Sequence, residues 1–317
     1  MNLLEVDDVI LKKRMIMFCF ITILTVFGKV NTSCSNTVFC ESNKTKVTKE
    51  MFASDIRYPQ TIIHDIVMNF LSTENTGKEK KVLVLGYDGY REDALINIHQ
   101  EETSAINTIT RDGGIYRSYA GGNGYQDTST APGWLSILNG NWAYQVGVQT
   151  NDDVKDEKIT TFLDEAKALG YSSSFTASWE PHFSVTYSKD IAYQNGKAKF
   201  QQMENDEATV NQLKEELSNT SDISTDIIFA TLEYADHAGH TYGYGNNVEE
   251  YVSATREADN IAYHLIQTIY ERETIEKEDW LIIITTDHGG IQTNHGGHSI
   301  EEVNTWFAMN KKINELL

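Results

Sequence analysis

Beyond residue 80 the chain switches repeatedly between two spacings of apolar residues. KKVLVLGYD (Lys80–Asp88), DIIFATLEY (Asp226–Tyr234) and WLIIITTD (Trp280–Asp287) are short, nearly continuous apolar runs rich in Val and Ile. Such runs predict strands of a sheet covered on both faces, where every side chain is hidden. IYRSYA (Ile115–Ala120), SSSFTA (Ser172–Ala177) and NTWFAM (Asn304–Met309) are weaker strand candidates. Between these runs apolar residues recur at three- and four-residue spacing, which predicts helices over ITTFLDEAKALGY, DEATVNQLKEELSN and NVEEYVSATREADNIAYHLIQTIYERE. Gly170 is expected to cap the first, and Val248, Tyr251, Val252, Ile261, Leu265 and Ile269 form the apolar stripe of the last. A further helix is expected at TAPGW. There Thr128, Ser129 and Thr130 stand before Pro132 and the apolar Trp134, Leu135, Ile137 and Leu138. Hydroxyls suit a helix cap and proline suits a first turn. Strands alternating with helices predict an α/β fold around a largely parallel sheet.

In such sheets ligands collect beyond the carboxyl ends of the strands. The first strong strand ends in Asp88, within GYDGYRED. The second is followed by Asp236 and His240, within EYADHAGHTYG. The third ends in Asp287 and His288, followed by GGIQTNHGGHS. Any one of these alone reads as a solvated acid or a loop histidine. Three together, each beside glycines that let backbone crowd a ligand, read as a site. Aspartate and histidine are suitable zinc ligands. Asp236 and His240 lie four residues apart, so one helical turn aims both at one ion. Asp287 and His288 are adjacent and need a strand end or a turn to converge. The set is larger than one tetrahedral ion can use, which points to two metals sharing a substrate.

GYDGYRED, TAPGW, DHAGHTYG, TTDHGG and the later HGG resemble, in that order, the alkaline phosphatase superfamily. Within it the chain is most similar to the nucleotide pyrophosphatase/phosphodiesterase branch, over about residues 81–310. The resemblance implies a three-layer fold with helices on both faces of the sheet. It also implies a nucleophilic Thr130, two residues before Pro132, that becomes a phospho-threonine and is then hydrolysed. One zinc is implied on Asp236, His240 and His295, with His298 a second candidate for the last position. A second zinc is implied on Asp88, Asp287, His288 and the Thr130 oxygen. An Asn that meets a phosphoryl oxygen is implied 21 residues after the nucleophile, and Asn151 stands there. Thr128 and Ser129 are left as cap or packing residues.

Ala131 follows the nucleophile where nucleotide-cleaving members carry an aromatic, and Trp179 in FTASWEPHF offers a ring instead. That segment, near where monoesterases of the superfamily present Lys or Arg, holds no base but does hold Glu180. With the neutral Asn151, this favours a diester over a monoester dianion as substrate. Phosphomonoester or phosphonate hydrolysis is the alternative within the superfamily, and a metal-binding pseudoenzyme the alternative outside catalysis. Sulfatases share the implied fold but use a Cys or Ser nucleophile with a nearby Arg. No cysteine occurs after Cys40 and no arginine closely follows Pro132.

The N-terminus changes the picture of location. Lys12, Lys13 and Arg14 precede the 13-residue apolar run Met15–Phe27, short of the ~20 residues that span a bilayer. This is the layout of a signal peptide over residues 1–28, with residues 29–79 an N-terminal segment and 80–317 the catalytic domain. Export to a secretory lumen or beyond is expected, with no lasting membrane span. Cys34 and Cys40 are then free to pair in an oxidising compartment. The formal charge of −20 argues against a nucleic acid polymer as partner. A small anionic phosphate ester would have to be drawn by bound metal instead.

Overall fold

The computed structural model describes residues 51–74, 77–98, 101–153, 159–182, 198–221 and 224–317. The signal-like segment, Cys34 and Cys40 lie outside the described residues. Among the described residues eight strands form one sheet: β1 (Phe52–Pro59), β2 (Glu79–Tyr87), β3 (Gly114–Tyr119), β4 (Ser173–Ala177), β5 (Ala198–Gln202), β6 (Ile227–Leu232), β7 (Glu278–Thr285) and β8 (Asn304–Met309). Their order across the sheet is β1-β3-β8-β7-β2-β6-β4-β5. Only β8 runs antiparallel to its neighbours; the other pairings are parallel. The sheet is thus the expected, largely parallel one, and its first strand reaches back into the segment before residue 80.

The side chains of the central strands alternate strictly between two apolar layers. Val82 and Val84, with Phe229, Leu281 and Ile283, face α1 (Ile62–Ser72), α3 (Thr130–Asn139) and α4 (Phe162–Ala168). Leu83 and Leu85, with Ile228, Ala230, Ile282 and Ile284, face α2 (Ala105–Ile109), α5 (Asp206–Ser218) and α7 (Glu249–Tyr270). Two buried layers, one on each face, make the three-layer α/β sandwich. They also explain why the central runs Val82–Leu85, Ile227–Ala230 and Leu281–Ile284 are apolar at every position.

Register then positions the chemistry. β2 pairs with both β6 and β7, so Gly86 lies opposite Thr231 on one side and Thr285 on the other. The carboxyl ends of the three strands therefore lie level. Asp88, the α6 helix (Tyr234–Tyr242) and Asp287 begin side by side. On the layer that carries α3, Gly86 makes room for the Trp134 ring. A Cβ at that position would stand 2.2 Å from the ring edge. The buried ring has nowhere to move in a packed interior. Gly86→Ala is therefore expected to destabilise the protein by about 1–3 kcal/mol through overpacking. Urea unfolding would read this as a lowered midpoint, and an unchanged midpoint would show that the ring has slack.

Candidate metal centre

Two groups of donors gather beyond these strand ends. Asp88, Asp287 and His288 form an inner group, all three without solvent exposure. His288 Nε2 stands 3.4 Å from Asp88 Oδ1 and 3.3 Å from Asp287 Oδ2. The second oxygen of each acid is already used: Trp134 Nε1 donates to Asp88 Oδ2 at 3.0 Å, and the Gly89 N–H to Asp287 Oδ1 at 3.3 Å. The three atoms that face one another, Asp88 Oδ1, Asp287 Oδ2 and His288 Nε2, are buried without a hydrogen-bond partner. Leaving polar atoms orphaned costs free energy. Two carboxylate oxygens and an imidazole nitrogen fit a divalent cation between them.

Asp236, His240 and His295 form the outer group. Asp236 and His240 share α6, one turn apart as expected, and their Oδ2 and Nε2 atoms lie 3.3 Å apart. His295 arrives from the loop after β7, its Nε2 3.1 Å from His240 Nε2 and 3.8 Å from Asp236 Oδ1. The Tyr244 hydroxyl donates to Asp236 Oδ1. His298 is exposed near Gly121, outside the group, so the loop's contribution is His295.

All three histidines are oriented in the same way. Nδ1 of His240 meets the Thr293 carbonyl at 3.0 Å, that of His288 the Gly289 carbonyl at 2.8 Å, and that of His295 the Thr128 carbonyl at 3.1 Å. A carbonyl only accepts, so each ring carries a proton on Nδ1 and turns Nε2 toward the acids. Second partners of this kind are what orient metal-binding imidazoles.

The segment carrying Thr130 joins the groups. Thr130 is buried and opens α3, after the non-helical Ser129. In the first turn a Cβ at Gly133 would stand 2.8 Å from Asp287 Cβ, so the helix approaches the inner group more closely than a side chain permits. The next residue, Trp134, holds Asp88. Asn151 Oδ1 accepts the Ala131 N–H at 2.8 Å, which leaves its two amide N–H donors for another partner. The expected cap is not made by hydroxyls. Ser129 makes no side-chain capping bond, and Thr128 bonds instead to Gly296 and Gly297. Trp179 is partly buried, packing on the apolar layer and edge-on to His182. Glu180 is exposed.

The electrostatics follow from burial. Desolvation, and then the charge of Asp236, pushes the Asp88 carboxyl well above its ordinary range; desolvation, then Asp88 and Asp236, does the same for Asp287. Burial lowers His288 to about 3, and burial also lowers His295. For Asp236, burial acts upward but is outweighed by the hydrogen bond from His240 and the neighbouring His288 and His295, so the acid stays below its usual range. The same hydrogen bond raises His240 to about 9. With no cation, a proton on His240 therefore stands in for one.

Sequence reasoning missed three supports. Glu233, buried at the end of β6, lies within ligand distance of Asp88 and Asp236. Desolvation and the Asp88 charge push its carboxyl up. It lies in the same EYADH stretch as Asp236, but Asp88, the other member of the group, comes from the end of β2. Trp134 stood among the apolar residues of its helix and Tyr244 carried no reading at all, and only the fold shows what their N–H and O–H groups reach.

The model of the type I phosphodiesterase/nucleotide pyrophosphatase family matches residues 82–316. The chain belongs to that family. Its members are phosphoester hydrolases by description, and the match spans every residue of both donor groups. No curated protein matches the sequence. Among solved structures, an inactive murine ectonucleotide pyrophosphatase/phosphodiesterase 5 in complex with AMP superposes with a TM-score of 0.50 at 20% identity, covering 68% of this chain and 58% of that one. A putative sulfatase from Bacteroides thetaiotaomicron gives 0.55 at 13% identity, covering 74% and 65%. A 2-O GAG sulfatase gives 0.51 at 13%, covering 74% and 64%. These likenesses establish an alkaline-phosphatase-like fold, and the chain spans about 58% of the length of the murine protein.

Because His240 holds a proton up to about pH 9 without a cation, binding a cation must expel it. Titrating metal-free protein with zinc at pH 7.5 in buffers of different ionisation enthalpy is expected to show proton release. His240→Gln should release about one proton fewer. Equal release by both proteins would remove His240 from the site.

Proposed function

We propose that this protein is a secreted, two-zinc phosphodiesterase, similar to nucleotide pyrophosphatases and acting through a phospho-threonine on Thr130. The observation that carries the reading is the inner group: three mutually facing, orphaned donor atoms in the interior, flush against the helix that begins with Thr130. Asp88, Asp287 and His288, with the Thr130 oxygen, hold one zinc in this reading, and Asp236, His240 and His295 the other. Bound zinc supplies a Lewis acid that lowers the proton affinity of a hydroxyl and offsets charge on phosphate oxygens.

The chain's own residues do the rest. Thr130 Oγ1 forms the bond to phosphorus as the bond to the leaving oxygen breaks, and water later releases the phosphoryl group. Thr130 stands at a helix N-terminus, where the helix dipole favours an anion. Asn151, its oxygen held by the Ala131 N–H, presents its amide hydrogens to a non-bridging oxygen. The neutrality of Asn151 suits a diester, which presents one fewer charged oxygen than a monoester. The basic-then-apolar run before residue 28 supports the assignment to the secretory pathway.

Thr130→Ala is expected to lower kcat by roughly 10^4-fold or more. Asn151→Ala should lower it by about 10^2- to 10^3-fold, as for loss of one preorganised donor. Turnover of bis(4-nitrophenyl) phosphate and 4-nitrophenyl phosphate, at matched pH and saturating zinc, measures both effects and the substrate class. A higher kcat/KM for the diester is expected, with loss of activity in EDTA. A clear monoester preference would make the protein a phosphatase, and full activity in Thr130→Ala would remove the nucleophile.

A further inference from the structure

Thr128 has no part in the chemistry above, yet it is fully buried and every polar bond it makes across the fold goes to one loop. Its Oγ1 donates to the Gly297 carbonyl at 2.7 Å and accepts from the Gly296 N–H at 3.2 Å. Its own carbonyl accepts the His295 Nδ1–H at 3.1 Å. Three consecutive residues, His295 to Gly297, are thus fastened to one residue more than 160 positions earlier.

That loop needs an external anchor. Ile291–Asn294 is exposed, Gln292 takes a φ of 54°, and Gly296 takes a φ of 106° in open space. Glycine in such a conformation leaves the chain with many alternatives to lose on ordering. The backbone of this stretch is also held by the Tyr244 N–H on the Gln292 carbonyl, by His240 Nδ1 on the Thr293 carbonyl and by Gly297 N on Glu302 Oε1, but Nδ1 of the His295 ring is met by the Thr128 carbonyl. The backbone of the inner group has no such dependence, since Asp88, Asp287 and His288 closely follow β2 and β7, although the His288 ring stacks on His295 with centroids 4.0 Å apart.

We propose that Thr128 is a positioning residue that locks His295 into the outer donor group, so that its hydroxyl controls occupancy of that cation site and leaves the inner site alone. This rests on the two-cation reading of the centre. It also makes the residues around the nucleophile a mechanical link: the segment that presents Thr130 also sets the geometry of the outer ligands.

The test is titration of metal-free protein with zinc by calorimetry, comparing wild type, Thr128→Ser and Thr128→Val. Wild type is expected to take up two equivalents. Thr128→Ser keeps the hydroxyl and should match it. Thr128→Val keeps the shape and the carbonyl but not the hydroxyl that ties down Gly296 and Gly297, and should weaken one equivalent by about 10-fold, the lower end of the effect of losing an outer partner outright, with the other unchanged. A folded Thr128→Val protein that binds both equivalents like wild type, whatever its melting temperature, would overturn the proposal and leave Thr128 a packing residue. If Thr128→Val does not fold, Thr128→Ala is read by the same criterion. Wild type that binds no zinc would overturn the two-cation reading and this proposal together, an outcome distinct from a variant that binds normally.

Discussion

Buried like charge governs this structure. Asp88, Asp287, Asp236 and Glu233 converge at the end of the sheet, each less than a tenth exposed. Removing a carboxylate from water costs several kcal/mol even after the protein relaxes, and mutual repulsion adds to it. Burial and the neighbouring acids push Asp88, Asp287 and Glu233 up. The fold offsets part of this with neutral donors: the Trp134 indole, the Tyr244 hydroxyl and the Gly89 N–H. What remains is a set of oxygens and imidazole nitrogens turned toward one another, an arrangement that positive charge at the centre stabilises.

The sheet makes this crowding possible. Three adjacent parallel strands kept in register deliver their ends at one level, and their central runs, Val82–Leu85, Ile227–Ala230 and Leu281–Ile284, bury apolar side chains on both faces. Gly133 lets α3 close on Asp287, and Gly86 seats Trp134 under the site. The same charge logic reaches the surface. With a formal charge of −20, the protein as a whole repels anions, so attraction of a phosphate ester must come from within the centre.

Much of this was legible along the chain. The strong strands, the long helix and the acids and histidines after each strand end follow from local pattern, because a strand buried on both faces has to be apolar throughout. The pair Asp236 and His240 was readable from helical spacing alone. His295 was preferred to His298 because its HG pair fits the family motif, but the bond that orients its ring, to the Thr128 carbonyl, spans the sequence and was not readable. Edge strands β1 and β5 were missed because a strand at the rim need not be continuously apolar; β1 carries Ser54, Asp55 and Arg57. The hydroxyls of Thr128 and Ser129 before α3 were read as cap or packing residues, both local explanations. Thr128 instead serves a distant loop, which no local pattern encodes.

The central claim is that the two donor groups are two cation sites. Crystals grown with zinc and measured on either side of the zinc absorption edge test it directly. The account predicts two anomalous peaks per chain, one bounded by Asp88, Asp287 and His288 and the other by Asp236, His240 and His295. A zinc-soaked crystal with no peak at either group, and these side chains hydrogen-bonded only to one another, would contradict it.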